Sequence, residues 1–264
     1  MGSATRGALA GTRATLAELG GADLTVAEDL LAASRVIGGT HQLRHALVDN
    51  EADAAEKRAL VAAIFGDKLS AGATELLVSA ASSRWSSGDD FLAGLEELGF
   101  RVAADAAGES VQLDAELHSF ERAVASDAEL ELALGSKLGA VDAKTKIVDR
   151  LLTGKAHPAT VVIVGHLVQQ PRGRRIGEML RYAASVVADQ RGFDVATVTS
   201  AVPLSDAQLA RLEQGLSAQA GRRIRFDTIV DPALLGGVRV QIGDDVIDGS
   251  VASRLSSLRQ KLAG

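Results

Sequence analysis

From Phe226 to Leu262 the chain reads FDTIVDPALLGGVRVQIGDDVIDGSVASRLSSLRQKL, and this pattern predicts a strand, a turn, a strand, a second turn, a short strand and a helix. Apolar and polar residues alternate over 226–230 and again over 238–242, which is typical of half-buried strands. Asp231-Pro232 ends the first strand, because proline fixes φ and suits the second position of a type I turn. Gly236-Gly237 permits backbone geometry that a β-carbon would forbid.

A terminal helix is predicted after Asp248, whose side chain can cap the first turn. The apolar residues of this helix recur at steps of four, three and four, so they form one stripe along it. The stripe consists of Val251, Leu255, Leu258 and Leu262. It offers an apolar face beside the small sheet that the preceding strands predict.

The same stretch closely resembles the C-terminal signature of the δ subunit family of F-type ATP synthases, also called the oligomycin-sensitivity-conferring subunit family. In that family an acidic residue precedes a short loop, a glycine pair and a valine-rich strand, and a terminal helix follows Ile-Asp-Gly-Ser. The residues that carry the resemblance are Asp231, Leu235, Gly236, Gly237, Val238, Val240, Gly243, Ile247, Asp248, Gly249 and Ser250. The preceding stretch 195–208, VATVTSAVPLSDAQ, is also similar to the family's lead into this domain. A generic small α/β hairpin domain with the same turn chemistry is the alternative interpretation.

The resemblance implies a non-catalytic subunit that links the catalytic head of a proton-translocating ATP synthase to its peripheral stalk, as part of the stator. The implied partners are the N-terminal helix of an α subunit and the b subunit of the stalk. It implies no cofactor and a peripheral place at the cytoplasmic face of the plasma membrane, reached only through the complex. The chain is longer than the family's usual form and in this resembles the enlarged subunits of actinobacteria. The sequence contains no b-type membrane helix, so we expect b to be a separate chain.

The composition favours a soluble, mostly helical protein. Of the 264 residues 47% are hydrophobic but only 3% are aromatic, which favours helices packed through alanine and leucine. The net charge of −6 argues against general nucleic-acid binding. The sequence has no cysteine, so disulfides, thiolate metal sites and cysteine nucleophiles are excluded. The longest apolar run, near Thr160–Val168, is shorter than the about twenty residues that a membrane helix needs.

Helical patterns that end at glycines fill the chain before the C-terminal domain. One helix is predicted over Thr25–Ile37, with Thr25 and Glu28 as a capping box. Further helices are predicted at about residues 3–19, 43–47, 54–65, 74–84 and 90–106. This first helical domain is expected to end near Gly108.

The helical pattern then starts again, because a shift of 87 residues places much of the first block on a second one. The shift brings Lys57 onto Lys144, for example. We interpret the pattern as a duplication and divide the chain into a first helical copy with an N-terminal helix (1–108), a second copy of the family's usual type (109–192) and a C-terminal stalk-binding domain (193–264). Each copy is expected to have its own core, because the period is long for a solenoid repeat. Chance similarity between alanine- and leucine-rich helices is the alternative.

The residues after the second copy predict a small α/β domain. The β-branched run Phe193–Ala201 suits a strand, and Arg222–Ile229 suits the next one. Ser205 and Gln208 form a capping box for a helix that Gly221 ends. The predicted fold class is therefore α plus small α/β: a duplicated helical bundle followed by a domain with a short β-sheet and two helices.

The sequence contains no catalytic, cofactor-binding or metal-binding motif that we can nominate. Asp149 stands where a phosphate loop would need its first glycine. His41 and His45 have the spacing of helical metal ligands, but no carboxylate completes a site, so surface histidines are the simpler interpretation. The arginines within 171–175 suit either contact with an acidic partner or a solvated helix start. A soluble enzyme or adaptor, with an unidentified ligand site in the C-terminal α/β domain, is the alternative function.

Two partner sites follow as hypotheses. The second copy would hold the α-subunit helix in an apolar groove, and the C-terminal domain would bind b through a strand edge or groove. The first copy, with Trp85 near the end of one helix, would lie alongside and brace the stalk. The candidate contact residues of the second copy are Leu130, Leu134, Ile147, Leu151 and Leu152.

Overall fold

The structure is a computed structural model that describes residues 2–21, 23–136, 139–242 and 245–251. The chain forms two compact units, residues 1–187 and residues 188–264, which we call the helical unit and the C-terminal unit. Three features predicted from sequence lie outside the described residues: Gly243, the terminal helix beyond Val251, and the stripe residues Leu255, Leu258 and Leu262.

Along the described residues, eleven α-helices come first, and strands and one further helix follow. The helices α1 to α11 span Ser3–Glu18, Leu24–Gly39, His41–Val48, Ala54–Phe65, Ala71–Ser82, Gly88–Ala107, Leu113–Ser126, Ala128–Gly135, Val141–Leu152, Pro158–Gln169 and Ile176–Gln190. The remaining elements are β1 at Phe193–Ser200, α12 at Asp206–Ala220, β2 at Arg223–Val230, β3 at Val238–Ile242 and β4 at Asp245–Asp248. This arrangement confirms the predicted fold class of α plus small α/β.

The helix bounds repeat along the chain. Adding 87 to the bounds of α3, α4 and α5 gives the bounds of α8, α9 and α10. Burial repeats as well: Lys57 and Lys144 are both buried, although lysine is rarely found inside proteins. The ammonium group of Lys57 donates to the carbonyl of Ala81 at 2.7 Å, at the C-terminal end of α5 where a cation is favoured.

Helix α6 belongs to both halves of this repeat. The shift of 87 carries α1 into α6 and carries α6 onto α11. Of its twenty residues, fourteen are buried, because α1, α2, α3 and α5 pack on it from one half and α10 from the other. One hydrophobic core therefore runs from Ala8 to Val187, and the expectation of a separate core in each copy is wrong. The core is continuous because both halves pack against the same helix.

Side-chain caps set several helix ends, not always at the predicted residue. Helix α2 begins at Leu24, and its cap is Asp23, whose carboxylate accepts from the Val26 amide at 3.1 Å. The predicted box at Thr25 is therefore wrong, because Thr25 already lies inside the helix. The box at Ser205 is confirmed, since Ser205 and Gln208 bond each other's backbone amides at 2.9 and 3.4 Å.

The C-terminal unit contains a four-stranded sheet in the order β2-β1-β3-β4. Strands β1 and β2 are parallel and are joined by α12, whereas β3 and β4 pair in antiparallel fashion. A small core forms between the sheet and α12, where Leu212 and Leu216 pack on the buried strand residues. Those strand residues are Ala196, Val198, Ile224 and Val240.

Candidate functional site

The C-terminal signature begins with a turn that is tied to the end of β1. The amide of Leu234 donates to the carbonyl of Asp231 at 3.1 Å, which closes the turn around Pro232. The carboxylate of Asp231 accepts from the Ala233 amide at 2.9 Å, and its own amide donates to Ser200 at 2.9 Å. Asp231 therefore holds the turn and anchors it to the sheet.

At the glycine pair of the signature, two backbone segments approach each other closely. Gly236 and Gly237 have φ of 118° and 84°, which other residues rarely adopt. A β-carbon on Gly237 would lie 2.6 Å from the carbonyl oxygen of Gly249. Gly249 in turn donates to Val238 at 3.0 Å, and Val251 donates to Gly236 at 3.0 Å. The two glycine segments of the signature therefore pack directly on each other.

Asp248 and Ser250 complete this packing, while other signature residues face outward. The amide of Ser250 donates to Asp248 at 2.9 Å, and Arg239 lies 3.3 Å from the same carboxylate. The bonds from Ser250, followed by the charge of Arg239, lower the pKa of Asp248. Leu235 and Ile247, by contrast, are 79% and 46% exposed. They belong to a group of exposed apolar residues at the β4 edge of the sheet and beside the glycine packing, which we call the apolar strip: Leu235, Val246, Ile247 and Val251.

The five candidate contact residues of the second copy lie on α8 and α9 and serve the helical core. Leu134 and Leu152 are buried, and the other three are half-buried with their side chains packed against the core. Those three are Leu130, Ile147 and Leu151. The apolar pattern of α8 and α9 thus reflects internal packing first.

The residue that α8 turns outward is Leu132, which the sequence analysis did not single out. It is 72% exposed and lines a cavity of about 560 Å³ between α8 and the loop before α11. Glu131, Arg175 and Ile176 line the same cavity, which we call the α8 groove. Leu132 therefore offers an apolar partner a contact that does not belong to the helical core.

The basic segment before α11 has a third role that sequence left unconsidered. The guanidinium of Arg174 forms two hydrogen bonds with the carboxylate of Glu96, at 2.6 and 2.8 Å, and Arg172 reaches it at 3.1 Å. Glu96 lies on α6 and its side chain is 1% exposed. Burial alone raises the pKa of Glu96, but hydrogen bonds from His166 and Arg174 and the two arginine charges lower it to about 2.

His166 joins this cluster as a neutral ring. Arg35 lies 3.2 Å from its Nδ1, and a guanidinium can only donate, so Nδ1 accepts and Nε2 carries the proton. Nε2 then donates to Glu96 at 3.4 Å. Burial lowers the pKa of His166, and the charges of Arg35 and Arg172 lower it further against the raising effect of Glu96.

The neighbouring Glu97 binds elements from both halves of the repeat. Its carboxylate accepts from Arg13 of α1 at 2.5 Å, from Arg101 of α6 at 2.9 Å and from Tyr182 of α11 at 3.3 Å. Burial, followed by the charges of Glu97 and Glu96, raises the pKa of Tyr182. Together, Glu96 and Glu97 link α6 to α1, to the loop before α11 and to α11 itself through ion pairs and a tyrosine hydrogen bond.

Other candidate residues have structural roles or form no site. Trp85 is 6% exposed, and its indole nitrogen donates to the carbonyl of Ala80 at 2.7 Å, so it belongs to the core and cannot brace a partner. Within the described ranges no cluster of histidine and carboxylate residues could hold a metal, and His41 and His45 form none. None of the described helices is long and apolar enough to cross a bilayer.

Comparison with known proteins identifies the family. The model of the ATP synthase delta (OSCP) subunit family matches residues 100–262. An ATP synthase subunit delta from Leifsonia xyli is 54% identical over 265 residues and covers all of both chains. The chain belongs to the ATP synthase delta (OSCP) subunit family. Another member, from Streptomyces griseus, is 37% identical over 273 residues, again with full coverage of both chains.

A chain in the structure of the Toxoplasma gondii mitochondrial ATP synthase hexamer is also similar, with 22% identity and a TM-score of 0.43. It covers 64% of this chain and 96% of that chain. The sequence matches confirm the resemblance seen at residues 231–250 and with it the non-catalytic stator role expected of the delta (OSCP) subunit family. As a member of that family, the chain is part of a membrane-associated complex and interacts with its other subunits.

Proposed function

We propose that this chain is a connector whose two units hold different partners at the cytoplasmic face of the plasma membrane. The helical unit holds the N-terminal helix of an α subunit, and the C-terminal unit holds the b subunit. The observation that carries the proposal is the full-length similarity to delta subunits together with the family match at 100–262. A connector must resist torque, and the contacts of Glu96 and Glu97 supply stiffness between distant segments of one unit.

The proposal includes a three-part division of the chain into 1–108, 109–192 and 193–264. The repeat of helix bounds supports the first boundary. The family match begins at residue 100, near this boundary, which supports the assignment of the second copy to the family's usual bundle. Helix α6 then closes the first copy and opens the second, so a deletion of residues 1–108 would remove a helix that both copies need.

The α8 groove is the surface on which we place the α-subunit helix. An amphipathic helix buries its apolar side in a groove through anchors three or four residues apart. Leu132 offers such an anchor a largely accessible apolar contact, and the oppositely charged Glu131 and Arg175 line the same groove. The half-buried faces of Leu130 and Ile147 extend the apolar character of the second copy.

Binding of a fluorescent α N-terminal peptide to the full chain tests this placement. Leu132→Asp should weaken binding at least about tenfold, because a carboxylate would have to be desolvated against the apolar face of the peptide. The matched control is Val36→Asp, which alters an exposed apolar residue of α2 in the first copy and should bind normally. If only Val36→Asp weakened peptide binding, the α site would lie on the first copy instead.

The exposed apolar strip is the surface on which we place b. Its residues lie on the edge strand β4 and beside the glycine packing, so a helix of b would cover them without disturbing the sheet core. Ile247→Asp should abolish co-purification of the b C-terminal segment with the full chain. Val202→Asp, at an exposed position after β1 outside the strip, should have no effect. Equal capture of b by both variants would contradict the placement.

A further inference from the structure

A recess of about 730 Å³ lies where α2, α3, α6 and the loop after α10 meet. Four arginine side chains line this arginine recess: Arg35, Arg44, Arg172 and Arg174. Within the described part of the chain, the carboxylates bound to them are those of Glu96 and the exposed Asp89, which lies 3.1 Å from Arg44. Two negative charges therefore face four positive ones, and the recess keeps a positive excess.

Two of these arginines have hydrogen-bonding capacity that the described part of the chain leaves unused. The guanidinium of Arg35 bonds His166 and has no carboxylate partner among the described residues. The Nε of Arg172 is buried, and no acceptor for it lies in the described ranges. Arg172 also has a φ of 48°, a strained conformation for a non-glycine residue that is often found at ligand sites. An acceptor that enters the recess would complete the hydrogen bonding of Arg35, which lines it.

We infer that the arginine recess binds a phosphate group, either free or as the ester of a small organic molecule. The fork of donors on a guanidinium matches the oxygens of phosphate in pairs. The side chains of Arg44, Arg172 and Arg174 are only 24%, 19% and 29% exposed, so a small anion reaches them more easily than a flat acidic protein surface does. Leu92 in the wall gives an organic ester an apolar contact.

This inference does not depend on the partner surfaces proposed above. The recess is formed within the helical unit and shares Pro171 and Arg174 with the α8 groove, but it includes neither Leu132 nor any residue of the apolar strip, and its tests change neither shared residue. Loss of phosphate binding would not change the assignment of the α and b surfaces. Loss of α or b binding would likewise not change the assignment of the phosphate site.

Calorimetric titration of the full chain with inorganic phosphate at low ionic strength tests the inference. We expect saturable binding of one phosphate, which Arg35→Gln and Arg44→Gln should each weaken at least about tenfold, since each removes a charged donor. Arg58→Gln removes the same charge from an exposed position on α4 and should bind like the natural chain. Trp85 fluorescence checks that each variant is folded.

Gly39 allows a second test that leaves all four arginines in place. It lines the recess, and a β-carbon on it would meet no atom within 4 Å. Gly39→Asp therefore places a competing carboxylate in the recess and should abolish phosphate binding, whereas Gly39→Asn should preserve it.

The source of the phosphate is decided by comparing ligands. Tighter binding of glycerol phosphate or AMP than of inorganic phosphate would support an ester, and equal or weaker binding would support free phosphate. Three results would overturn the inference: no saturable binding, equal loss in Arg44→Gln and Arg58→Gln, or binding of an acidic peptide without binding of phosphate.

Discussion

Replacing Glu96 by glutamine removes the negative charge at the centre of the helical unit and keeps the shape of the side chain. Arg172 and Arg174 then lose their shared counter-ion, and the neutral amide cannot accept both guanidinium groups equally well. Because the replaced side chain is only 1% exposed, water cannot take over its contacts. We expect a large loss of stability that is confined to the helical unit.

The size of the loss follows from the pKa of Glu96 and from the burial of its partners. A pKa of about 2 against the ordinary value of 4.5 corresponds to about 3 kcal/mol of stability at neutral pH. Loss of one partner of a buried pair costs about 3–5 kcal/mol, and the low end applies because both arginines keep some solvent contact. At about 2–4 °C per kcal/mol, the melting temperature should fall by roughly 6–12 °C.

Fluorescence of Trp85 during urea or thermal unfolding reports this change, because the chain has one tryptophan and it lies in the core of the helical unit. Asp89→Asn is the matched control: its carboxylate is 84% exposed and pairs with Arg44, so its loss should cost less than about 1 kcal/mol. The folded pKa of Glu96 is depressed, so its contribution is present above pH 4.5 and is lost as the pH falls toward 2. Equal destabilisation by the two variants would refute the reasoning.

Two further predictions concern the C-terminal unit and the histidine. Gly237→Val should lower the melting temperature of the β-sheet far more than Ala233→Val, since the new β-carbon would lie 2.6 Å from the Gly249 carbonyl at a φ of 84°; equal melting by circular dichroism would contradict this. The folded pKa of His166 is lowered from 6.5, so the unfolded chain binds more protons and stability should fall as the pH drops below about 6.5. Urea midpoints followed by Trp85 fluorescence between pH 7.5 and 5.5 should fall less steeply in His166→Gln, and parallel slopes would rule out this contribution.

Several local features of the C-terminal unit could be predicted from the sequence, because they depend on short-range interactions. The turn at Asp231, the glycine pair, the capping box at Ser205 and the helix end at Gly221 all follow from residues within a few positions of each other. Local steric rules act at this distance, so the sequence predicts them directly. The repeat of 87 residues was also visible in the sequence, and the helix bounds follow it closely.

The tertiary structure alone decided how the two helical halves are joined. Nothing in the local sequence distinguishes Glu96 from the other charged residues of α6, and its partners His166 and Arg174 lie 70 and 78 residues further along the chain. Periodicity shows which face of a helix is apolar, but it does not show which helices meet, so neither the sharing of α6 nor the arginine recess could be derived from it. The sequence by itself determined the elements, the repeat and the family, because these depend on local pattern. The buried charges and the common core depend on contacts across the whole helical unit, and only the folded chain brings those residues together.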